Sequence, residues 1–195
     1  MEKQPTYLNV CNRNYTPLGK FENTSGHMVI SDPSYYKSPW HNQAHVSSLP
    51  GWWKASVWMG PVGSQTIKVH RLHAHHVDDE TCLYCSRGTS IKIERMEDSM
   101  GVDSGMLGFF DAALYDGKCQ LRIEEAITKP IYAVLDTHMA RVINKGCMSY
   151  SGHGDGRYGG FIFKESKNDR VIGVEVMFID DAGDKLDDKL DHILL

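Results

Sequence analysis

The residues with the clearest metal chemistry are four histidines followed by a Cys-x-x-Cys pair. The histidines occupy positions 70, 73, 75 and 76, and Cys82 and Cys85 follow them. If residues 66–77 form a strand, His73 and His75 project from one face. Neutral imidazoles and thiolates are ligands of tetrahedral zinc. The pattern therefore suggests zinc held by His73, His75, Cys82 and Cys85. A lone Cys-x-x-Cys is also common without metal, so partly exposed histidines and small buried thiols are the favoured alternative.

A glycine-rich stretch at residues 151–160 is the second candidate site. Its glycines allow backbone amides to approach a ligand closely, or allow positive φ angles. His153 and Asp155 could act there as an acid and a base. Neither a Walker loop nor a dinucleotide-binding glycine pattern is present, and Asp-Gly commonly forms a turn. We expect ligand contacts from His153, Asp155, Gly156 and Tyr158, with a purely structural turn as the alternative.

A short motif occurs twice with a constant offset. Four residues match their counterparts 79 positions later without a gap: Ser25, Gly26, Asp32 and Tyr36 match Ser104, Gly105, Asp111 and Tyr115. A constant offset predicts an internal duplication, with two related halves that share a core. If the halves face one another, the carboxylates of Asp32 and Asp111 could converge on a metal or a ligand. An aspartate after a strand is also an ordinary turn starter or helix cap. Asp32, Tyr36, Asp111 and Tyr115 are therefore candidate ligand contacts.

Short strands must position these residues. Turn-forming residues recur about every ten positions, and the segments between them are rich in β-branched and aromatic side chains. The sequence predicts one compact, β-rich α+β domain over residues 1–195, with related halves at about 20–95 and 99–180. Residues 161–163 and 171–176 are predicted to form a hairpin. Single helical turns are predicted at 110–115 and 124–127, and a short helix at 184–195.

Composition excludes several classes of protein. The formal net charge is −4, and no basic run occurs, so a general nucleic-acid binder is not expected. No segment approaches the roughly 20 consecutive apolar residues that a membrane-spanning helix needs. Five cysteines occur in a chain without an apolar leader, which favours a reducing compartment. We therefore expect a cytoplasmic protein, or a virion component if the chain belongs to a phage.

Two motifs resemble an uncharacterised family. Residues 102–111, which contain Val-Asp-Ser-Gly and Phe-Phe-Asp, and residues 151–158 look similar to the bacterial and phage proteins grouped as domain of unknown function 4241. The resemblance extends over roughly residues 20–180, and the Pro50-Gly51 turn adds to it. That family usually has an aromatic residue where this chain has His153, and a Pro-like turn where it has Gly159 and Gly160. The resemblance implies a shared fold and motif surface, and it brings no established activity.

The leading functional prediction is a non-enzymatic binding or accessory protein of bacterial or phage origin. Its partner would be another protein or a small polar ligand, and self-association is left open. No complete catalytic constellation can be assembled from the sequence, which favours this class. One alternative is a metal-dependent hydrolase that uses Asp32, Asp111, His153 and Asp155. Another is a structural or virion assembly component, for which the acidic tail at 184–195 would be the docking element.

Overall fold

A computed structural model describes residues 15–37, 43–63, 66–77, 91–115 and 139–179, which form strands and two short 3-10 helices. The strands, numbered along the chain, form three sheets. The first sheet has the order β1 (Thr16–Asn23), β4 (Gly51–Val62), β5 (Thr66–His76), β13 (Val171–Met177), β12 (Gly160–Glu165) and β6 (Ile91–Arg95). The second has the order β3 (Ala44–Ser47), β2 (His27–Ser31), β8 (Met106–Asp111), β10 (Gly146–Tyr150) and β9 (Ala140–Ile143). The third pairs β7 (Met100–Val102) with β11 (Gly156–Tyr158).

The hydrophobic core lies between the two large sheets. One buried cluster contains Trp53 and Leu72 from the six-stranded sheet, together with Ile30 and Phe109 from the five-stranded sheet. Strand β4 illustrates how its side chains reach this core. Buried Trp53, Ala55 and Val57 alternate with more exposed residues, so every second side chain faces the core. Complete burial of a side chain such as valine, leucine or phenylalanine contributes roughly 1.5–3 kcal/mol to the free energy of folding. The alternation therefore gives β4 one apolar face, which lies toward the core.

The two copies of the repeated motif pair with each other. Strands β2 and β8 are antiparallel neighbours, and Ile30 lies opposite Phe109, the residue 79 positions later. The ladder is therefore symmetric. Replacing each residue of a pair by its counterpart in the other motif gives a pair with the same register. A 3-10 helix follows each strand, at Pro33–Lys37 and at Ala112–Tyr115. Common descent of the two halves stays a prediction, but their motifs occupy matching places in one sheet.

Matching contacts continue beyond this ladder. The Ser48 N–H donates to the Gly26 carbonyl at 2.9 Å, and the Ser151 N–H donates to the Gly105 carbonyl at the same distance. Two other pairs of residues also correspond. Asn23 lies opposite Gly51, and Val102 lies opposite Gly156, and both glycines have positive φ. The glycine-rich loop thus occupies the place in the second half that the Pro50-Gly51 turn occupies in the first.

The predicted β-rich fold is confirmed. The predicted hairpin is also confirmed, because β12 and β13 are antiparallel neighbours. At 110–115, the last two residues of β8 precede the second 3-10 helix, so only part of that segment is helical. The predicted helical segments at 124–127 and 184–195 lie outside the described residues. Among the described ranges, no helix has the length and apolar character that crossing a bilayer requires.

Candidate functional site

The Asp111 carboxylate binds the turn of the first motif. The Thr24 N–H and hydroxyl donate to its Oδ2 at 2.7 and 2.5 Å, and the Ser25 N–H donates to Oδ1 at 3.2 Å. The Ala113 N–H donates to Oδ1 at 3.0 Å, as expected at the start of a 3-10 helix. Asp111 has no exposed surface. Its carboxylate therefore joins the β1–β2 turn to the end of β8.

Asp32 makes the corresponding contacts with the second motif. The Asp103 and Ser104 N–H groups donate to its Oδ2 at 2.8 and 2.7 Å. The Ser104 hydroxyl and the Ser34 N–H donate to Oδ1, each at 2.7 Å. Asp32 is likewise fully buried. Each motif thus supplies the carboxylate that caps the turn of the other, and four donors occupy each carboxylate.

The structure does not bring Asp32 and Asp111 together. Asp111 lies opposite Met28, and Asp32 follows Met28 by four residues along the chain. At a rise of about 3.4 Å per residue, the two positions are roughly 14 Å apart along the ladder. Shared metal binding by these carboxylates is therefore not supported, and their turn-capping alternative matches the observed hydrogen bonds.

The two tyrosines of the motif lie in the 3-10 helices that follow these aspartates. Tyr36 belongs to the first helix and Tyr115 to the second. The Tyr115 hydroxyl is buried and has no hydrogen-bond partner among the described residues. Burial, and then the charge of Asp32, raise the pKa of Tyr115. Tyr115 is therefore a neutral phenol that lies near a structural carboxylate, and its hydroxyl is not exposed to a ligand.

The glycine-rich loop is held in place from its buried side. Tyr158 is fully buried, and its hydroxyl lies 2.8 Å from the Ser151 carbonyl and 2.6 Å from the Gly154 carbonyl, sharing its proton between them. The Ser151 hydroxyl also donates to the Gly154 carbonyl, at 2.8 Å. Tyr158 is therefore an internal support of the loop, which corrects its prediction as a ligand contact. Trp53 has the same role in the first half, where its Nε1–H donates to the Leu49 carbonyl at 3.0 Å.

Two other predicted contacts of this loop, His153 and Asp155, point outward, and so does Arg157. His153, Asp155 and Arg157 are exposed, whereas the glycines between them are half-buried. The Lys68 Nζ, from the start of β5, lies 3.3 Å from the His153 Nδ1. Gly156 has a φ of 149° and begins β11. Alternating glycines thus turn three polar side chains toward solvent on a supported backbone, beside a lysine from another strand.

A buried polar network occupies the outer face of the six-stranded sheet. The Arg71 Nη1 donates to the Glu175 Oε1 at 2.8 Å, and the Tyr15 hydroxyl donates to Oε2 at 2.8 Å. His73 lies directly opposite Glu175, with its Nδ1 3.7 Å from Oε2. Arg71, His73 and Glu175 are each at most 3% exposed. Such a network is stable only while its charges remain paired.

Half of the suggested zinc site lies within the described residues. His73 and His75 project from the same face of β5, and their ring centroids are 5.4 Å apart. Burial, together with the smaller effects of the charges of His73, Lys54 and His76, lowers the pKa of His75 to about 4. Cys82 and Cys85 lie outside the described residues, so zinc at this cluster stays a prediction. Within the described ranges, no group of three or more His, Cys, Asp or Glu side chains is arranged to hold a metal ion.

The residues that complete these arrangements were not predicted from the sequence. Thr24 and Asp103 lie next to the repeated serines but differ from each other, so the alignment of identical residues did not include them. The network around Arg71 had a visible signal. Glu175 is a single charge within the otherwise uncharged strand Val171–Met177, where a buried carboxylate requires a partner.

Comparison of the chain with protein-family models, curated proteins and solved structures finds no match in any of the three. The resemblance to domain of unknown function 4241 therefore stays a prediction.

The hydrogen bonds to Asp111 predict a pH-dependent contribution to stability. Although burial acts to raise it, hydrogen bonds from Ser25, Thr24 and Ala113 lower the pKa of Asp111 overall. A carboxyl whose folded pKa is depressed stabilises the fold above its unfolded pKa of about 3.9, and this contribution is lost as pH falls through the folded value. We expect Asp111→Asn to lower the free energy of unfolding at neutral pH by about 2 kcal/mol.

The free energy of unfolding of Asp111→Asn should also fall less than that of wild type when the pH is lowered into the acidic range. Urea unfolding measured between neutral and acidic pH checks both effects, with Asp98→Asn, at an exposed position, as the control. If the free energies of unfolding of wild type and Asp111→Asn changed in parallel with pH, the stabilising role of the ionised Asp111 carboxylate would be contradicted.

Alanine substitutions at two glycines of the loop distinguish the effect of backbone strain from the effect of side-chain crowding. A Cβ at Gly152 would lie 2.8 Å from the Ile179 Cγ1 and 2.9 Å from the Phe178 Cβ, whereas a Cβ at Gly154 would meet nothing within 4 Å. Both residues have positive φ, so alanine costs roughly 1 kcal/mol at either position. We expect Gly152→Ala to be about 1–3 kcal/mol less stable than Gly154→Ala, because it also overpacks the core. Thermal unfolding of both variants measures this difference, and equal losses would disprove the crowding.

The Arg71–Glu175 pair predicts strong coupling between two substitutions. Glu175→Leu leaves the Arg71 guanidinium buried without this carboxylate, which should cost about 3–5 kcal/mol. Arg71→Met combined with Glu175→Leu removes both charges and should recover most of that loss. A double-mutant cycle in urea checks the coupling. Additive free energies would show that the pair is energetically unimportant.

Proposed function

We propose that this protein is a non-enzymatic binding protein that contacts a small polar ligand or a protein partner through its glycine-rich loop. The observation that carries the proposal is the outward display of His153, Asp155 and Arg157 on a backbone supported by buried Tyr158. Binding residues are commonly found on loops that a rigid scaffold positions. A supported loop also loses little conformational entropy on binding, because its backbone is already ordered.

The charges around the loop favour a polar partner. Lys68 and Arg157 are cationic, Asp155 is anionic, and His153 lies next to Lys68. This mixture suits hydrogen bonds and charge pairs more than apolar contact. The Arg157 Nη1 donates to the Ser99 hydroxyl at 3.1 Å, which links the loop to the start of β7. The contact surface of the proposed site therefore extends from β5 across the loop toward β7.

The hydrolase alternative has weaker support. It needs Asp32 and Asp111 to act with His153 and Asp155 at one centre. Hydrogen bonds from main-chain and hydroxyl donors occupy both buried carboxylates, and the ladder holds them apart. A carboxylate engaged in this way is a poor ligand for a metal that must also bind water. The assembly alternative depends on the tail at 184–195, which lies outside the described residues.

The proposal predicts that ligands perturb the loop first. A library of small polar fragments and short charged peptides would be screened against the ¹⁵N-labelled protein by NMR. We expect the hits to shift the amide signals of residues 152–157. His153→Ala combined with Asp155→Asn should abolish those shifts, because it removes two of the displayed polar groups while retaining every glycine.

The control combines His45→Ala with Glu97→Gln, which removes an exposed imidazole and an exposed carboxylate elsewhere. Shifts that survive in the loop variant, or hits that never involve the loop, would reject the proposal.

A further inference from the structure

Three basic side chains form one row across the outer face of the six-stranded sheet. Lys20 on β1 lies directly opposite Lys54 on β4, and Lys54 lies directly opposite His75 on β5. Directly paired residues of antiparallel strands project from the same face, with Cβ atoms about 4.5–5.5 Å apart. Phe21, Trp53 and His76 form the next row and face the core instead. The basic row therefore lies on the sheet surface away from the core.

This row has no acidic partner among the described residues. Glu22, which lies opposite Trp52, pairs with Lys145 at 2.9 Å. Glu175 on the neighbouring row is engaged by Arg71 and Tyr15. Like charges placed directly opposite each other destabilise a sheet. The arrangement therefore costs stability in the free protein, and a bound anion would offset that cost.

An exposed aromatic surface adjoins the row. Trp52 precedes Lys54 by two residues, so both side chains project from the same face of β4, about 7 Å apart. Trp52 is 51% exposed, an unusual position for the largest apolar side chain. His75 lies at the inner end of the row, and its Nδ1 is buried without a hydrogen-bond partner among the described residues. Cations, an aromatic face and an unsatisfied imidazole thus share one surface.

We propose that Lys20, Lys54, His75 and Trp52 form a second site, which binds a small aromatic phosphate. The phosphate group would lie over the basic row, where Lys20 and Lys54 neutralise its charge and the half-buried His75 ring borders it. The flat ring would stack on Trp52, since an aromatic face favours planar ligands. A phosphate monoester fits better than a carboxylate because it carries more charge and more acceptor oxygens to meet several cations. The site shares no residue with the glycine-rich loop.

Adenosine 5′-monophosphate is the probe, with adenosine and inorganic phosphate as its two halves. Binding would be followed by NMR at low salt, where the attraction between exposed charges is least screened. We expect the monophosphate to shift the signals of Lys20, Trp52, Lys54 and His75, and to bind more tightly than either half. Lys54→Met should weaken its binding about tenfold, the effect of one lost charge contact of roughly 1.4 kcal/mol. Trp52→Ala should reduce its affinity to that of inorganic phosphate.

Lys92→Met is the matched control, because it removes an exposed lysine of the same sheet that pairs with Glu94. It should leave the affinity unchanged.

Unfolding of the free protein gives a second measurement. Lys54→Met should raise the melting temperature without ligand, because it relieves repulsion from Lys20, whereas Lys92→Met should not. Absence of monophosphate binding, or equal affinity in wild type and Lys54→Met, would overturn the proposed site. Equal affinity for the monophosphate and inorganic phosphate would overturn the role of Trp52. None of these outcomes bears on the glycine-rich loop, whose test uses other residues.

Discussion

The exchange of carboxylates between the two motifs is the constraint on which the rest of the structure depends. Asp32 caps the turn at Asp103 and Ser104, and Asp111 caps the turn at Thr24 and Ser25. Each turn leads into one of two adjacent inner strands of the five-stranded sheet, β2 or β8. The same turns connect those strands to β1 and β7, whose partners carry the Pro50-Gly51 turn and the glycine-rich loop. A few buried hydrogen bonds therefore orient both the core and the surface proposed to bind.

Local pattern was enough to predict much of the fold. Alternating apolar residues and frequent turns predicted strands, and the polar stretch between residues 163 and 171 predicted the β12–β13 hairpin. The spatial relation of the two motifs could not be predicted, because a repeat in sequence does not say whether its copies pair, stack or separate. The same limit applied to the candidate site. The sequence marks Asp32 and Asp111 as a repeated pair, but only the β2–β8 register shows that each caps the turn of the opposite motif.

Burial separates residues that hold the fold from residues available to a ligand. Tyr158 and Asp32 looked like site residues because phenols and carboxylates recur in binding sites, yet both satisfy main-chain groups inside the protein. His153 and Asp155 have the opposite character, since the loop exposes them. The basic row on β1, β4 and β5 escaped sequence analysis because its members come from three strands. Only the register places them side by side.

Asp111 is 87 residues from Thr24 in the sequence, and Asp32 is 72 residues from Ser104. Contacts between residues so far apart form late in folding, since a long loop must close first. During synthesis, the N-terminal turn cannot acquire its cap until the second motif has left the ribosome. Until then the β2 edge has neither its central neighbour nor its cap, and an unpaired edge can associate with other chains. The mutual support that stabilises the finished protein therefore leaves its first half dependent on synthesis of the second motif.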